Sequence, residues 1–219
     1  MGILFTYFLV FLSLTFDECP PGTIKVNNYY VDKTEILNIH YLEFINDKKI
    51  QVDSIEIKTF IPDGLKSLPL NKENWYKPVV MISYEQAIAY CEWRSKVVSE
   101  KLNKKITYRL PTKAEWKDIA TQIYSDRHTK KDIKITKRKL AWYKVTPIVL
   151  ESKSRDAKNT NRVFNMFDNV SEMTSEKGIA IGPNNTNLNK WESEFNQIVK
   201  YKSKQPYIGF RCIAEFQEE

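Results

Sequence analysis

Two helix-start signals constrain the fold of this chain more than any other feature. The segments SYEQ at 83–86 and TKAE at 112–115 each place a Ser or Thr three residues before a Gln or Glu, which is the capping-box pattern. Apolar or small residues follow at helical spacing in both cases: Tyr84, Ile88, Cys91, Ser95, Val98 and Leu102 after the first, and Trp116, Ile119, Ala120, Ile123 and Tyr124 after the second. The pattern predicts two amphipathic helices, and it predicts that Cys91 points inward.

Shorter elements are predicted on either side of these helices. The β-branched and aromatic stretch from Thr23 to Asp32, with two Asn residues at 27–28, indicates a β-hairpin. Asn38 is a candidate N-cap for a helix whose apolar face carries Tyr41, Leu42, Phe44 and Ile45. From Tyr143 onward helical periodicity fades, which predicts loops and short strands. The fold class is therefore predicted to be α+β, and residues 19–219 are predicted to form one domain.

The N-terminal segment differs from the rest of the chain. Residues 3–16, ILFTYFLVFLSLTF, carry no charge, and they form a run shorter than the roughly 20 residues of a membrane span. Residues 1–18 are therefore predicted to be a signal peptide or a membrane anchor. A buried strand and lipidation of Cys19 are alternatives, although Glu18 stands where a lipoprotein signal has a small residue. Export would place the protein in the periplasm, the outer membrane or on the cell surface, where disulfides can form.

The charge distribution does not indicate a nucleic-acid-binding protein. The chain has 34 Lys and Arg against 27 Asp and Glu, a formal net charge of +7 that is spread along its length. The densest basic run, Lys130 to Lys139, has no interleaved aromatic residues and no surrounding nucleic-acid motif. We therefore interpret that run as a solvated loop or helix face and predict no nucleic-acid partner.

Four blocks of the sequence resemble the formylglycine-generating enzyme, or sulfatase-modifying factor, domain family. The string YRLPTKAEW at 108–116 is the most specific of them. The others are the segment from Pro21 to Phe44, the segment from Lys77 to Trp93, and the string FNMFDNVSEM at 164–173 together with GFRC at 209–212. The resemblance spans about residues 20 to 213 and implies an α+β, loop-rich fold with little regular secondary structure, related to C-type lectins.

Enzymes of this family oxidise a substrate cysteine to formylglycine with copper held by two cysteines near the C-terminus. The present chain has no cysteine between Glu172 and Gly209, and the segment 179–183 is at most a remnant of the strand that precedes the family's copper site. Copper(I) requires thiolate or thioether ligands placed together. Copper is therefore not expected, and no catalytic residue is assigned.

The resemblance also implies a structural disulfide between Cys91 and Cys212, which occupy the family's bridging positions. The alternative is that both are reduced and buried as small apolar side chains. Arg109, Glu115, Trp116 and Arg211 are interpreted as structural residues of the fold, with Arg109 and Glu115 meeting each other or the backbone.

A calcium site is the functional feature that the resemblance carries over most directly. It places ligands at the Asn165 and Glu172 side chains and at the Asp168 and Val170 carbonyls, and waters could complete the six to eight oxygens, about 2.3–2.6 Å away, that calcium requires. Asp168 stands where the family has Gly, and its carboxylate would either add a ligand or distort the turn. Alternatively, Asn165 and Glu172 only hydrogen-bond the loop.

The retained fold signature without the catalytic cysteines predicts an exported, non-catalytic module of a bacterial envelope that contacts an envelope protein or a glycan. In this it is similar to gliding-motility and secretion-associated lipoproteins of the superfamily. The alternatives are a formylglycine-generating-type oxidase or other oxidoreductase of the superfamily, and a carbohydrate-binding lectin-like module.

Overall fold

A computed structural model of the chain describes residues 19–51, 56–67, 72–124, 130–131, 134, 162–184 and 197–217. Its helices are α1 (Asn38–Gln51), α2 (Ile57–Phe60), α3 (Asp63–Ser67), α4 (Lys72–Trp75), α5 (Tyr84–Leu102) and α6 (Lys113–Tyr124). Its strands are β1 (Thr23–Val26), β2 (Tyr29–Asp32), β3 (Ile106–Arg109), β4 (Ser171–Met173), β5 (Ile179–Ile181), β6 (Ile198–Lys200), β7 (Ile208–Gly209) and β8 (Ile213–Phe216). The α+β class predicted from the sequence is confirmed.

Two small sheets organise the strands. The first has the order β1-β2-β8-β3 and is antiparallel throughout, so the C-terminal strand lies between the N-terminal hairpin and β3. The second has the order β6-β5-β4-β7, in which β4 and β7 pair in parallel. The short segment from Phe210 to Cys212 joins β7 to β8 and therefore links the two sheets.

The predicted helix starts and hairpin are confirmed. The Ser83 hydroxyl accepts a hydrogen bond from the Gln86 amide at 3.2 Å, and the Gln86 side chain accepts one from the Ser83 amide at 2.9 Å. Thr112 and Glu115 make the same reciprocal pair at α6, at 3.2 and 2.7 Å. The hairpin turns at Asn27, which adopts a left-handed φ of 52° that Asn tolerates better than most residues.

Two details of the helices differ from the prediction. The buried residues of α5 are Gln86, Ala87, Tyr90 and Cys91, whereas Leu102 is 39% exposed. The polar side chain of Gln86 can be buried because its Nε2 donates a hydrogen bond to the Thr59 carbonyl at 2.7 Å. Asn38 begins α1, and its side chain donates to the Asn74 carbonyl at 2.9 Å, so this amide joins α1 to α4.

The core consists of two clusters of buried apolar residues. Aromatic rings dominate the first, where Tyr41 stacks on Tyr90 with centroids 5.5 Å apart and Phe44 meets Tyr90 edge-on at 5.9 Å. The second surrounds Trp116, which is fully buried beside residues of β1, β2, β5 and β8. The α1, α5 and α6 helices thus pack on the sheets and fix the segments that carry the candidate site.

Two predictions fall mainly outside the described residues. The segment 1–18, predicted to be a signal peptide or anchor, is one of them. The other is the basic run Lys130 to Lys139, of which Lys130, Lys131 and Lys134 are described and exposed. Within the described part of the chain, no helix is long and apolar enough to cross a membrane.

Candidate functional site

The loop predicted to bind calcium packs into the second core cluster. Asn165 and Asn169 adopt left-handed φ angles of 59° and 72°, which bend the chain sharply before β4. The Asn165 side chain donates a hydrogen bond to Oδ1 of Asp168 at 2.9 Å, and Asp168 is 3% exposed. Val170 is also buried, with Gly209 of the neighbouring β7 close by. The structure therefore brings Asn165 and Asp168 together in a turn that already contains an internal hydrogen bond.

Glu172, the fourth residue of the predicted calcium set, lies in a buried ion pair. Its two carboxylate oxygens accept hydrogen bonds from Nε of Arg211 at 2.8 and 2.7 Å, and Oε1 accepts a third from Nη2 at 2.5 Å. The indole Nε1 of Trp116 donates to Oε2 at 2.7 Å. Glu172 and Arg211 are 1% and 0% exposed. In this arrangement four donor contacts use the carboxylate that calcium would need.

Arg211 connects four separate segments of the chain. Besides Glu172 in β4, it donates to the carbonyl of Asp32 at 3.0 Å and to that of Phe164 at 2.9 Å. Burial alone would lower the pKa of Arg211, but the charge and hydrogen bonds of Glu172 raise it above its usual value. The guanidinium therefore stays charged and ties the end of β2 to the loop before β4.

A second buried carboxylate, Glu35, lies beside this pair and was missed by the sequence analysis. It is fully buried, and Nδ2 of Asn169 donates to its Oε1 at 3.0 Å. Burial raises the pKa of Glu35 to about 8, with the Arg211 charge acting in the opposite direction. The carboxyl group is therefore largely protonated at neutral pH. The sequence signal was its place in the family-like opening block, where an acidic residue directly precedes the apolar pair Ile36 and Leu37.

Cys91 and Cys212 face each other in the first core cluster. Their Sγ atoms are 3.3 Å apart and both residues are buried as thiols, while Cys19 is exposed. Burial raises the pKa of Cys212 well above its usual value, so the thiol stays protonated. The structure thus brings together the two cysteines for which a bridge was predicted, and the bridge itself stays a prediction.

A polar layer beside the two thiols was also missed. The Cys212 amide donates to Oδ2 of Asp32 at 2.8 Å, and Arg94 donates to both oxygens of that carboxylate at 2.9 and 2.8 Å. The Arg94 guanidinium lies 4.0 Å from the centre of the Tyr108 ring. Asp32 thereby fixes the backbone at Cys212, and its place in the hairpin was the signal available in the sequence.

Arg109 and Glu115, interpreted as structural residues, meet in an ion pair. Nη2 of Arg109 lies 2.6 Å from Oε1 of Glu115, and the same guanidinium contacts Glu215 in β8. Hydrogen bonding by Arg109 lowers the pKa of Glu115 to about 2. The pair joins the start of α6 to β3 and β8, which places Trp116 over Glu172.

The described residues offer few side chains that could hold a metal ion together. Among those residues, no group of three or more His, Cys, Asp or Glu side chains is arranged to hold a metal ion. Residues 185–196, part of the stretch that lacks cysteine in the sequence, lie outside the described ranges. Calcium binding by Asn165, Asp168, Val170 and Glu172 remains a prediction, and it would require Glu172 to be shared with or released from Arg211.

Comparison with known proteins gives a consistent family. The sequence profile described as "Sulfatase-modifying factor enzyme 1-like domain" matches residues 7–216. The formylglycine-generating enzyme of Mus musculus is 25% identical over 131 residues, which cover 45% of this chain and 32% of that enzyme. The Bos taurus enzyme is 24% identical over 131 residues, again covering 45% of this chain and 32% of the enzyme. The match thus spans about a third of the length of these curated relatives.

A solved structure supports the fold. The Treponema denticola variable protein 1 superposes with a TM-score of 0.53 at 15% identity, over 86% of this chain and 84% of that protein. At this identity the likeness concerns the architecture alone.

Proposed function

This chain belongs to the family of sulfatase-modifying factor enzyme 1-like domains, and from that premise we propose that it is a non-catalytic binding or structural module. It would act after export, in the cell envelope of a bacterium, by contacting an envelope protein or a glycan. The apolar segment 3–16 supports the export step. The single observation that carries the non-catalytic role is the placement of the cysteines.

The chain has three cysteines, and two of them are buried in the core. Cys91 and Cys212 lie against each other with a sulfur separation of 3.3 Å and are 2% and 0% exposed. The copper site of the family uses two cysteines, and a site that oxidises a bound peptide must leave such soft ligands within reach of the metal and the substrate. Cys19 alone is exposed, and one thiol does not supply that ligand pair.

The other residues carried over from the family also support an internal role. Trp116, Glu172 and Arg211 bond one another inside the protein, and Arg109 bonds Glu115. Polar groups committed in this way hold the scaffold together and are not available to a substrate. Because these family-like polar residues bond one another inside the protein, we infer that the chain contacts its partners through other residues on its surface.

The proposal is tested by incubating the purified chain with copper, oxygen and a cysteine-containing peptide, and by measuring the peptide mass. The expected result is no aldehyde above the level given by copper alone. A formylglycine-generating enzyme assayed in parallel serves as the positive control. Copper-dependent conversion of the cysteine to formylglycine by this chain would overturn the proposal.

An oxidase is the second candidate, because both curated relatives are named formylglycine-generating enzymes. Such an activity would have to use Cys19, Cys91 or Cys212. A Cys91→Ser/Cys212→Ser variant separates the two candidates. If the variant keeps its fold and loses a measurable oxidation, the oxidase is favoured; if it only loses stability, the structural role of these cysteines is favoured.

A further inference from the structure

A groove on the surface of the second sheet is separate from the buried site described above. It has a volume of about 520 Å³, which lies in the range of about 300–1,000 Å³ typical of small-ligand pockets. Its walls come from the start of α3, the start of α5, the turn between β4 and β5, and the segment after β6. Tyr84, Glu85, Lys177, Tyr201 and Lys204 are among the side chains that line it.

Hydrogen bonds hold the walls of the groove in place. The Tyr201 amide donates to the Gly178 carbonyl at 2.9 Å, and the Tyr84 hydroxyl donates to the Ser175 carbonyl at 2.7 Å. Gly178 has a φ of 81°, and a Cβ at this position would come within 3.1 Å of the Tyr201 carbonyl. The β4–β5 turn therefore depends on glycine, and the groove is formed before any ligand enters.

Five charged side chains line the groove; four of them form two ion pairs, and the fifth, Lys202, lies outside these pairs. Nζ of Lys204 lies 2.8 Å from Asp63, and Nζ of Lys177 lies 2.5 Å from Glu85. At each of the two pairs, an anionic ligand would meet a carboxylate beside the ammonium group, and a cationic ligand would meet an ammonium group beside the carboxylate. A hydroxyl group both donates and accepts, so it can bond both members of a pair without displacing either.

Two tyrosines supply the apolar part of the lining. Tyr84 and Tyr201 are partly buried and pack against the first core cluster. The Tyr201 hydroxyl is buried and makes no hydrogen bond to a described residue. Burial raises the pKa of Tyr201 to about 12, so the hydroxyl keeps its proton. An oxygen-rich ligand that reaches it would provide the missing acceptor.

We propose that this groove binds a neutral saccharide, with the sugar ring against Tyr84 and Tyr201 and its hydroxyls bonded to the Lys204–Asp63 and Lys177–Glu85 pairs. Strand addition by a peptide is less suited to the groove, because the Tyr201 amide is already paired within the sheet. The assignment rests on the proposed function, since it names the ligand class of a non-catalytic binding module.

The test uses the full chain, a printed array of neutral oligosaccharides, and titration calorimetry with chitin, mannan and β-glucan oligosaccharides as soluble probes. Ser203→Trp fills the groove from an exposed position that also lines it. Tyr201→Phe removes only the buried hydroxyl. We expect the parent chain to bind at least one probe, Ser203→Trp to lose binding, and Tyr201→Phe to bind roughly fivefold more weakly.

Matched controls lie outside the groove lining. Tyr30→Phe makes the same chemical change in the first sheet, at a ring that contacts Phe216 edge-on at 5.4 Å. Glu176→Gln removes one member of the exposed Lys113–Glu176 pair and is compared with Glu85→Gln in the groove. The two controls should bind as the parent does, and Glu85→Gln should bind more weakly.

The saccharide assignment is overturned if no neutral probe binds or if the groove variants bind as the parent does. Groove-dependent binding of an acidic saccharide or a peptide alone would also overturn it, while leaving a non-catalytic binding module standing. Formation of formylglycine in the peptide assay would instead remove the proposed function. The two failures therefore have different signatures.

Discussion

Arg211 and Glu172 form a buried ion pair that crosslinks β4 to the segment between β7 and β8. Both side chains are essentially unexposed, and Trp116 donates a further hydrogen bond to the same carboxylate. An uncompensated charge left at such a position is costly, since water cannot reach it to replace the lost counter-ion. The pair therefore links the family-like strings of α6, β4 and the terminal strand into one structural unit.

Arg211→Met should strongly destabilise the protein, because it leaves the Glu172 carboxylate buried without its counter-ion. We expect the free energy of unfolding to fall by about 3–5 kcal/mol. The Arg211→Met/Glu172→Gln double variant should recover part of this loss, because no charge is then left unpaired. Urea unfolding of the parent, both single variants and the double variant measures the coupling. An exposed ion pair contributes at most about 1 kcal/mol. If the free energy of unfolding of each single variant lay within that amount of the parent's, the crosslink would be contradicted.

Calcium should raise the melting temperature of the parent chain, if the prediction for the 165–172 loop holds. Asp168→Asn should reduce that increase, because it removes the negative charge of the carboxylate that lies next to Asn165. The exposed Asp63→Asn variant is the control, since Asp63 is remote from the loop in sequence and lines the groove. If millimolar calcium leaves the melting temperature of both the parent and Asp168→Asn unchanged, the predicted site is contradicted.

Oxidation should join Cys91 to Cys212 and increase stability. The two residues are 121 positions apart in sequence, and closing a loop of that length is worth up to about 4–5 kcal/mol on the chain-entropy model. Because burial keeps the pKa of Cys212 high, we expect the bridge to form during folding more readily than in the folded protein.

Unfolding with and without reductant measures this effect, and Cys19→Ser is the matched control. The control should respond to reductant as the parent does, whereas Cys91→Ser/Cys212→Ser should not respond. A parent protein whose stability is the same in both conditions would show that these cysteines work as buried thiols.

The buried Glu35 and the partly buried His40 of α1 have opposite pKa shifts, which should shape the dependence of stability on pH. Glu35 has its pKa raised from 4.5 to about 8 by burial, so it contributes stability fully below pH 4.5 and loses it as pH rises towards 8. His40 has its pKa lowered from 6.5 to about 4, first by burial and then by Arg94, so its contribution is complete above pH 6.5 and falls as pH drops towards 4.

The two effects offset each other between pH 4.5 and 6.5, where we expect a plateau. Above pH 6.5 the contribution of His40 is complete, and the loss of the Glu35 contribution should lower stability by up to about 2 kcal/mol by pH 8. Melting temperatures across this range test the profile. Glu35→Gln should remove the fall above pH 6.5, and an unchanged profile in that variant would assign the fall to other groups.

The sequence predicted local structure better than it predicted side-chain partners. The Ser83 and Thr112 capping boxes and the hairpin around Asn27 were found because their signals span only a few residues. The α+β class followed from the loss of helical periodicity in the C-terminal part. The exposed end of α5 at Leu102 was not foreseen, because packing against α1 and β3 decides which face is buried.

Contacts between distant segments could not be predicted from spacing. Glu172 and Arg211 are 39 residues apart, and Asn169 reaches Glu35 across 134 residues. Each contact depends on β4 and β7 pairing in parallel and on the hairpin lying beside β8. The family resemblance placed Cys91 and Cys212 together, but it gave no role to Glu35 or Asp32; its assignment of Glu172 to calcium stays a prediction.

The central claim is that this scaffold holds the sulfur atoms of Cys91 and Cys212 in the core and not in a redox site. Its most direct test is intact mass of the protein from its native host, without reductant, combined with copper analysis of the same sample. The account predicts a mass lower by two hydrogens that maps to Cys91 and Cys212, with copper far below one equivalent. One equivalent of copper on a chain whose Cys91 and Cys212 are unbridged would contradict it.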